Sequence, residues 1–196
     1  MPETCSVCGK ASLIERVVPF AFARAGKPCS IEDHQTFCPS CGNVSYLGDQ
    51  ASRHELTIAA KIREMDGLLS AEELRRIRLK YGFRQTDMEA MLSVGPKTWT
   101  RWERGKVPQS KAVDTLIRVL ADDPEVARRL MQQARIDNPI AAEIFARVDA
   151  ETKRLAAASL RAQIGLHLSD ADVVRMAAQA VDAVRAARHE VGAKAA

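Results

Sequence analysis

Apolar and polar positions change rhythm along this chain. From Leu13 to Ala23 and from Pro28 to Phe37 they mix at strand spacing, with Arg24-Ala25-Gly26-Lys27 between the two runs, so the pattern predicts a β-hairpin. From Arg53 to Met65 the apolar residues Leu56, Ile58, Ala59, Ile62 and Met65 recur among charges, which predicts a helix broken at Asp66-Gly67. Ser70-x-x-Glu73 is a capping box for a helix over Ala71 to Tyr81, with Leu74, Ile77 and Tyr81 inward and Gly82 ending it. Gln85 to Leu92 is a second short helix burying Met88, Met91 and Leu92, and Ser93, Val94 and Gly95 form the turn after it. A third helix follows. Pro96 fits its first turn, Trp99 and Trp102 share one face, and Gly105 lies past its end. Ser110 caps a fourth helix with Val113, Leu116, Ile117 and Leu120, and Asp122-Asp123-Pro124 starts a fifth, to Arg135, carrying Val126, Leu130 and Met131. That last helix either closes the core or builds a dimer contact.

The remaining residues read as helix as well. Asn138-Pro139 opens a run with Ile140, Ile144 and Val148 that continues through an alanine-rich stretch to Ile164, where Gly165 interrupts. Ser169-x-x-Asp172 opens another run, with Val173, Met176, Ala177, Ala180, Val181 and Val184 as its apolar stripe. The pair suits an antiparallel hairpin whose stripe needs a cover, and Val191 to Ala196 reads as a frayed tail. The chain therefore divides into a small β domain (1–48), a helical connector (49–67), a helical bundle (68–136) and a C-terminal helical extension (137–196). The expected class is mainly α.

Composition fits that class. Of 196 residues, 46% are hydrophobic, enough for a core, while only 5% are aromatic, which favours helices over a β-sandwich. A net charge of +4 is mildly basic and identifies no partner by itself. No apolar run reaches membrane-spanning length and no signal-peptide core stands at the N-terminus, so a cytoplasmic protein without a membrane partner is expected. There is no Gly-rich phosphate loop. His54-Glu55 is followed by Ile58 where a metalloprotease helix needs its second histidine. No motif places a catalytic pair, which argues against an enzyme.

The cysteines are more specific. Cys5-x-x-Cys8-Gly9 and Cys38-x-x-Cys41-Gly42 are two knuckles, each aiming two thiolates at one ion. The intervening hairpin would bring them together, and four thiolates suit tetrahedral Zn2+. Such a closed site is structural, and structural zinc supplies roughly 10–16 kcal/mol to a unit too small to fold on its own core. Cys29 reads as a small apolar strand residue and His34 as a polar strand residue.

The tryptophan helix carries the second chemistry. With Trp99 and Trp102 inward, Lys97, Thr98, Thr100, Arg101 and Arg104 are left to face outward, which suits the major groove of double-stranded DNA. Arg101 is placed for a guanine edge, Lys97 for a base or phosphate, Thr100 for a phosphate or methyl group, and Gln85 for the backbone or an edge base. Arg104 and Lys106 suit phosphates. A solvated surface charge is the plain alternative for each cation. The series Gln85-(x)2-Met88-(x)3-Leu92-x-Val94-(x)4-Trp99-x-Arg101-Trp102-Glu103-x-Gly105 resembles the helix-turn-helix of the Cro/CI repressor superfamily, with Glu89 in place of a small residue and Ser93 in place of glycine.

The order of parts carries a second resemblance. Two knuckles around a hairpin, a short linker and a bundle containing Thr100-Arg101-Trp102-Glu103-Arg104-Gly105 and then Pro108 are similar to the MqsA-type antitoxins, the YgiT zinc-finger group, over about residues 4 to 130. The resemblance implies a structural zinc domain that contacts a toxin. It implies a dimeric helix-turn-helix domain that represses its own operon from an inverted repeat. Neutralisation would work by occlusion or sequestration, and the base-reading positions would be Lys97 and Arg101. The alternative is a stand-alone zinc-containing transcriptional regulator with a non-toxin partner.

Overall fold

The computed structural model describes residues 4–164 and 169–194, with backbone alone at 163, 164 and 187–194. The fold is mainly α with an N-terminal β-hairpin. Strands β1 (Ile14–Arg24) and β2 (Lys27–Phe37) pair antiparallel in unbroken register from Ile14↔Phe37 to Arg24↔Lys27. Ala25 and Gly26 turn the chain between them at φ 49° and 77°, the left-handed pair that a tight hairpin requires. A two-residue strand, β3 (Val44–Ser45), adds to the other side of β2, so the sheet order is β1-β2-β3. Among the described residues eight helices follow: α1 (Gln50–Asp66), α2 (Ala71–Lys80), α3 (Gln85–Met91), α4 (Thr98–Glu103), α5 (Lys111–Asp122), α6 (Pro124–Gln133), α7 (Pro139–Ile164) and α8 (Asp170–Lys194).

The chain forms two compact units, one of residues 1–80 with 84–136, the other of residues 81–83 with 137–196. Caps foreseen from the sequence are in place in the first. Ser70 and Glu73 exchange hydrogen bonds at 2.7 and 3.2 Å, Ser110 Oγ accepts from Val113 N–H, and Asp123 Oδ1 accepts from Glu125 N–H. Leu74, Met88, Trp99, Ile117 and Leu120 are fully buried, so one apolar core joins α2 through α5.

Helix α1 departs from its pattern. Its buried residues are Gln50, Ala59 and Arg63, while Leu56 is 39% exposed. Polar contacts hold it. Gln50 Oε1 accepts from Thr36 Oγ1 and Leu47 N–H, both at 2.9 Å, and His54 Nδ1 meets Asp33 Oδ1 at 2.7 Å. Tyr46 donates to the same Asp33 carboxylate at 2.7 Å, and the Phe20 ring stands edge-on to His54. At the other end Arg63 Nη1 and Nη2 donate to the carbonyls of Gly105 and Val107. The helix is thus pinned to the sheet at its start and to the segment after α4 at its end.

In the second unit Asn138 caps α7 by accepting from Ala141 N–H, and its amide donates to the Gly82 carbonyl at 3.0 Å. Gly82 has φ +67°, and a Cβ there would lie 2.6 Å from Ile140 Cγ2, so only glycine fits. Tyr81, Phe83 and Phe145 pack ring to ring at 5.6–6.1 Å. The expected stripe Ile140, Ile144, Val148 is displaced by one position. Ala141 and Phe145 are the buried residues and Ile140 is 61% exposed, because the aromatic cluster draws Phe145 inward. Helices α7 and α8 form an antiparallel hairpin closed by Asp149–Arg185, Lys153–Asp182 and Arg161–Asp170. Helix α8 runs to Lys194, where a frayed tail from Val191 was expected. Gly165 and residues 195–196 lie outside the described residues. No helix among the described residues is long and apolar enough to cross a membrane.

Candidate functional site

Cys5 and Cys8 precede β1 and Cys38 and Cys41 follow β2, so the hairpin register delivers both pairs to one end of the sheet. The knuckles share one backbone geometry. Cys5 N–H donates to the Lys10 carbonyl at 3.0 Å and Gly9 N–H to the Cys5 carbonyl at 2.8 Å; Cys38 with Asn43 and Gly42 with Cys38 repeat this at 2.9 and 2.8 Å. Gly9 and Gly42 have φ of 70° and 76°, the left-handed turn each knuckle needs. The Sγ atoms of Cys5 and Cys41 lie 3.6 Å apart, those of Cys8 and Cys38 3.7 Å, and all four lie within 4.8 Å. Metal–thiolate bonds of about 2.3 Å in a tetrahedron give edges of about 3.8 Å. A disulfide requires about 2.05 Å.

Two of the thiols are tuned toward ionisation and a third away from it. Backbone N–H groups of Cys8 and Val7 lower the Cys5 thiol. Burial raises Cys38, but the Ser12 hydroxyl and the N–H groups of Cys41 and Ser40 bring it down to about 6. Asn43 N–H lowers Cys41, but burial and the neighbouring Cys8, Cys38 and Cys5 sulfurs push it up to about 12. Four like charges cannot form in so small a space without a cation to offset them. The four cysteines together can hold one metal ion. Cys29 stands apart, its Sγ donating to the Phe22 carbonyl at 3.3 Å, and His34 lies 3.5 Å from Glu15 on the sheet.

The second constellation surrounds α4. Trp99 and Trp102 are 0% and 6% exposed, edge to face with ring centroids 5.8 Å apart. Glu103 is a hub that the periodicity did not reveal. Its carboxylate accepts from Arg78 Nε of α2 at 2.6 Å, from Gln85 Nε2 of α3 at 2.6 Å and from Trp99 Nε1 at 2.6 Å. Burial raises its carboxyl, but these donors outweigh burial and hold it below its ordinary value. Glu89, where a small residue was the pattern, is buried, and its Oε1 accepts from Trp99 N–H at 3.0 Å, tying α3 to the first turn of α4. Ser93, where glycine was the pattern, has φ 52°.

The sequence-named residues fall into two groups. Lys97, Arg101, Arg104 and Lys106 are exposed. Gln85, Thr98 and Thr100 are half-buried, and Thr100 Oγ1 donates to Gln85 Oε1 at 2.8 Å, so both ends of the Gln85 amide are used inside the fold. One detail differs from expectation. Helix α4 begins at Thr98, and Lys97 is its N-cap at φ 61°, so Pro96 sits in the preceding turn rather than in the helix. The left-handed Lys97 bends the chain just before α4.

The family described as the antitoxin component of bacterial toxin-antitoxin system, MqsA, matches residues 3–131 of the chain. No curated protein matches it.

Proposed function

The chain belongs to the MqsA family of antitoxin components, and from this premise we propose that it is a cytoplasmic antitoxin that binds double-stranded DNA, represses its own operon and holds a cognate toxin. Helices α3 and α4 with their turn act as a helix-turn-helix. The observation that carries this is the division of α4: both tryptophans are buried while Lys97, Arg101 and Arg104 stand exposed at four- and three-residue spacing, with Lys106 just beyond. Arg101 reads a guanine edge, Lys97 a base or phosphate, and Arg104 and Lys106 neutralise phosphates. Thr98 contacts the DNA backbone beside them, while Gln85 and Thr100, bonded to each other and through Gln85 to Glu103, hold this surface in shape against that backbone. One such helix spans few base pairs, so a homodimer binds an inverted repeat.

Segment 1–48 holds structural Zn2+ through Cys5, Cys8, Cys38 and Cys41; all four positions are protein sulfurs, which leaves none for a reacting water. Segment 49–67 connects it to the reader at 68–136. Strand β1 is an edge of the sheet, with Ile14, Val17 and Phe20 exposed at 51%, 51% and 37%. Such an edge suits a protein partner that adds a strand of its own, and the toxin is assigned to it. The segment past residue 131, beyond the family match, favours a second reading, a zinc-containing regulator whose partner is not a toxin.

The experiment is an anisotropy titration of the full chain on DNA from upstream of its own gene. Arg101→Ala abolishes the preference for that DNA over random DNA, with metal content and helicity unchanged. Arg104→Ala and Lys106→Ala weaken both DNAs alike and each lower the salt slope by about 1. Unchanged operator preference in Arg101→Ala removes the reading of α4.

A further inference from the structure

Three residues separate α2 from the cap of α3, and they do not belong to the unit that holds both helices. Helix α2 ends at Lys80, and Arg84, whose N–H donates to Asp87 Oδ2 at 2.8 Å, caps α3. Tyr81, Gly82 and Phe83 between them group with residues 137–196. What holds them is α7 with its capping residue. The Phe145 ring centroid lies 5.6 Å from that of Tyr81 and 6.1 Å from that of Phe83, and Phe145, Tyr81 and Phe83 are 3%, 1% and 1% exposed. Asn138 Nδ2 donates to the Gly82 carbonyl at 3.0 Å. Gly82 takes φ +67°, and a Cβ there would lie 2.6 Å from Ile140 Cγ2 and 2.9 Å from Ile144 Cδ1. Buried rings on either side of a hydrogen-bonded glycine leave this link one path. The link lies inside the stretch that matches the antitoxin family, whereas Asn138, Ile140 and Phe145 lie beyond it.

The path of the link decides how α2 and α3 meet. Arg78 stands three residues before Tyr81 and Gln85 two residues after Phe83, and both donate to the Glu103 carboxylate of α4 at 2.6 Å. That carboxylate also accepts from Trp99 Nε1 at 2.6 Å, and Gln85 Oε1 accepts from Thr100 Oγ1 at 2.8 Å. Hydrogen bonds depend steeply on direction, so a change in the angle between α2 and α3 loosens this set together. We infer that the C-terminal hairpin is a positioning element for α4. Phe145 and Asn138 set the path of Tyr81–Phe83, and with it the angle at which Arg78 and Gln85 converge on Glu103. The consequence for DNA rests on the reading of α4 as the DNA-facing helix; the positioning itself does not.

The test uses the full chain and begins without DNA. Trp99 and Trp102 are the only tryptophans, so the indole N–H signals in a nitrogen–proton NMR spectrum report on α4 alone. Phe145→Ala and Asn138→Ala shift the Trp99 signal and quicken hydrogen exchange in α3 about fivefold relative to α5. Leu155→Ala, at a 59% exposed position of α7, leaves both as in the parent. With DNA, preference for the proposed operator over random DNA falls about tenfold, while affinity for random DNA, which phosphate contacts supply, stays within about twofold. A reader that had merely unfolded loses both affinities alike. A Trp99 signal and an α3 exchange rate unchanged in Phe145→Ala overturn the proposal. A parent without operator preference removes the DNA reading, and the indole signal and the exchange then decide the positioning by themselves. Should Phe145→Ala lose helicity, Gly82→Ala decides. Its added Cβ presses the link away from Ile140 and moves the Trp99 signal, and adding Ile140→Ala, which removes the nearer atom, brings the signal back toward the parent. A signal that Gly82→Ala leaves in place, or a shift that Ile140→Ala does not reduce, overturns the proposal.

Discussion

Glu103 gathers donors from three helices into one carboxylate, and the energetics of that arrangement can be read from its parts. Arg78 and Glu103 form a largely buried pair at 2.6 Å. Removing one member of such a pair strands the other, so Glu103→Ala should lower stability by about 3–5 kcal/mol, while Glu103→Gln, which keeps the shape and some bonds, should cost less. Chemical denaturation of both variants checks the order. The sign of the pH dependence follows. Glu103 and Asp114 both titrate below their ordinary values of 4.5 and 3.8 in the fold; burial opposes this in each, and hydrogen bonds from Arg78, Gln85 and Trp99 to the first, and from Leu69 N–H, Arg118 and Gln109 to the second, outweigh it. Their contribution is complete above those ordinary values and is lost as pH falls through the lowered ones. A thermal melt series from pH 6 to pH 3 should show the transition falling at the acid end, and falling less steeply in Glu103→Gln.

At the scale of elements, what the sequence revealed depended on how far apart the partners lie in the chain. The knuckles, the capping box at Ser70 and Glu73, and the tryptophan pair are contacts within a few residues, and each was legible. The hairpin was legible too, because its turn is local and its register follows from the turn. Helix α1 was not. Its apolar pattern suggested an apolar face, yet its buried side is Gln50, Ala59 and Arg63, whose partners Thr36, Gly105 and Val107 lie 14, 42 and 44 positions away. Hydrophobic periodicity has no term for a buried arginine bonded to carbonyls. Burial lowers the Arg63 pKa, so those carbonyls are what keep its charge tolerable inside the fold. Arg63→Ala should therefore loosen the Gly105–Val107 segment and cost about 2–3 kcal/mol. Hydrogen exchange at residues 104–108 should quicken more than exchange in α5. Equal exchange in the two segments would mean that α1 is not what holds this segment.

For the molecule as a whole, the question is how far loss of the metal would travel through the unit that holds both constellations. The sheet meets α1 through Asp33–His54, Thr36–Gln50 and Arg24–Asp66, and α1 meets the end of α4 through Arg63. That chain of contacts is polar and thin. The core beneath α4 is not: Leu74, Met88, Trp99, Ile117 and Leu120 are fully buried and draw nothing from the knuckles. Cys38→Ser removes a fully buried sulfur with a thiol lowered to about 6, the member of the set readiest to bind a cation. With the proposed Zn2+ gone, the sheet loses its principal source of stability, while the core under α4 keeps its own. The expected result is loss of metal and of the β signal in circular dichroism, with affinity for the proposed operator within a few-fold of the parent and binding of the proposed toxin abolished. Metal analysis, circular dichroism and anisotropy on one preparation separate these outcomes. Affinity for the proposed operator that collapses together with the metal would instead make α1 a rigid strut, carrying the state of the four cysteines to α4.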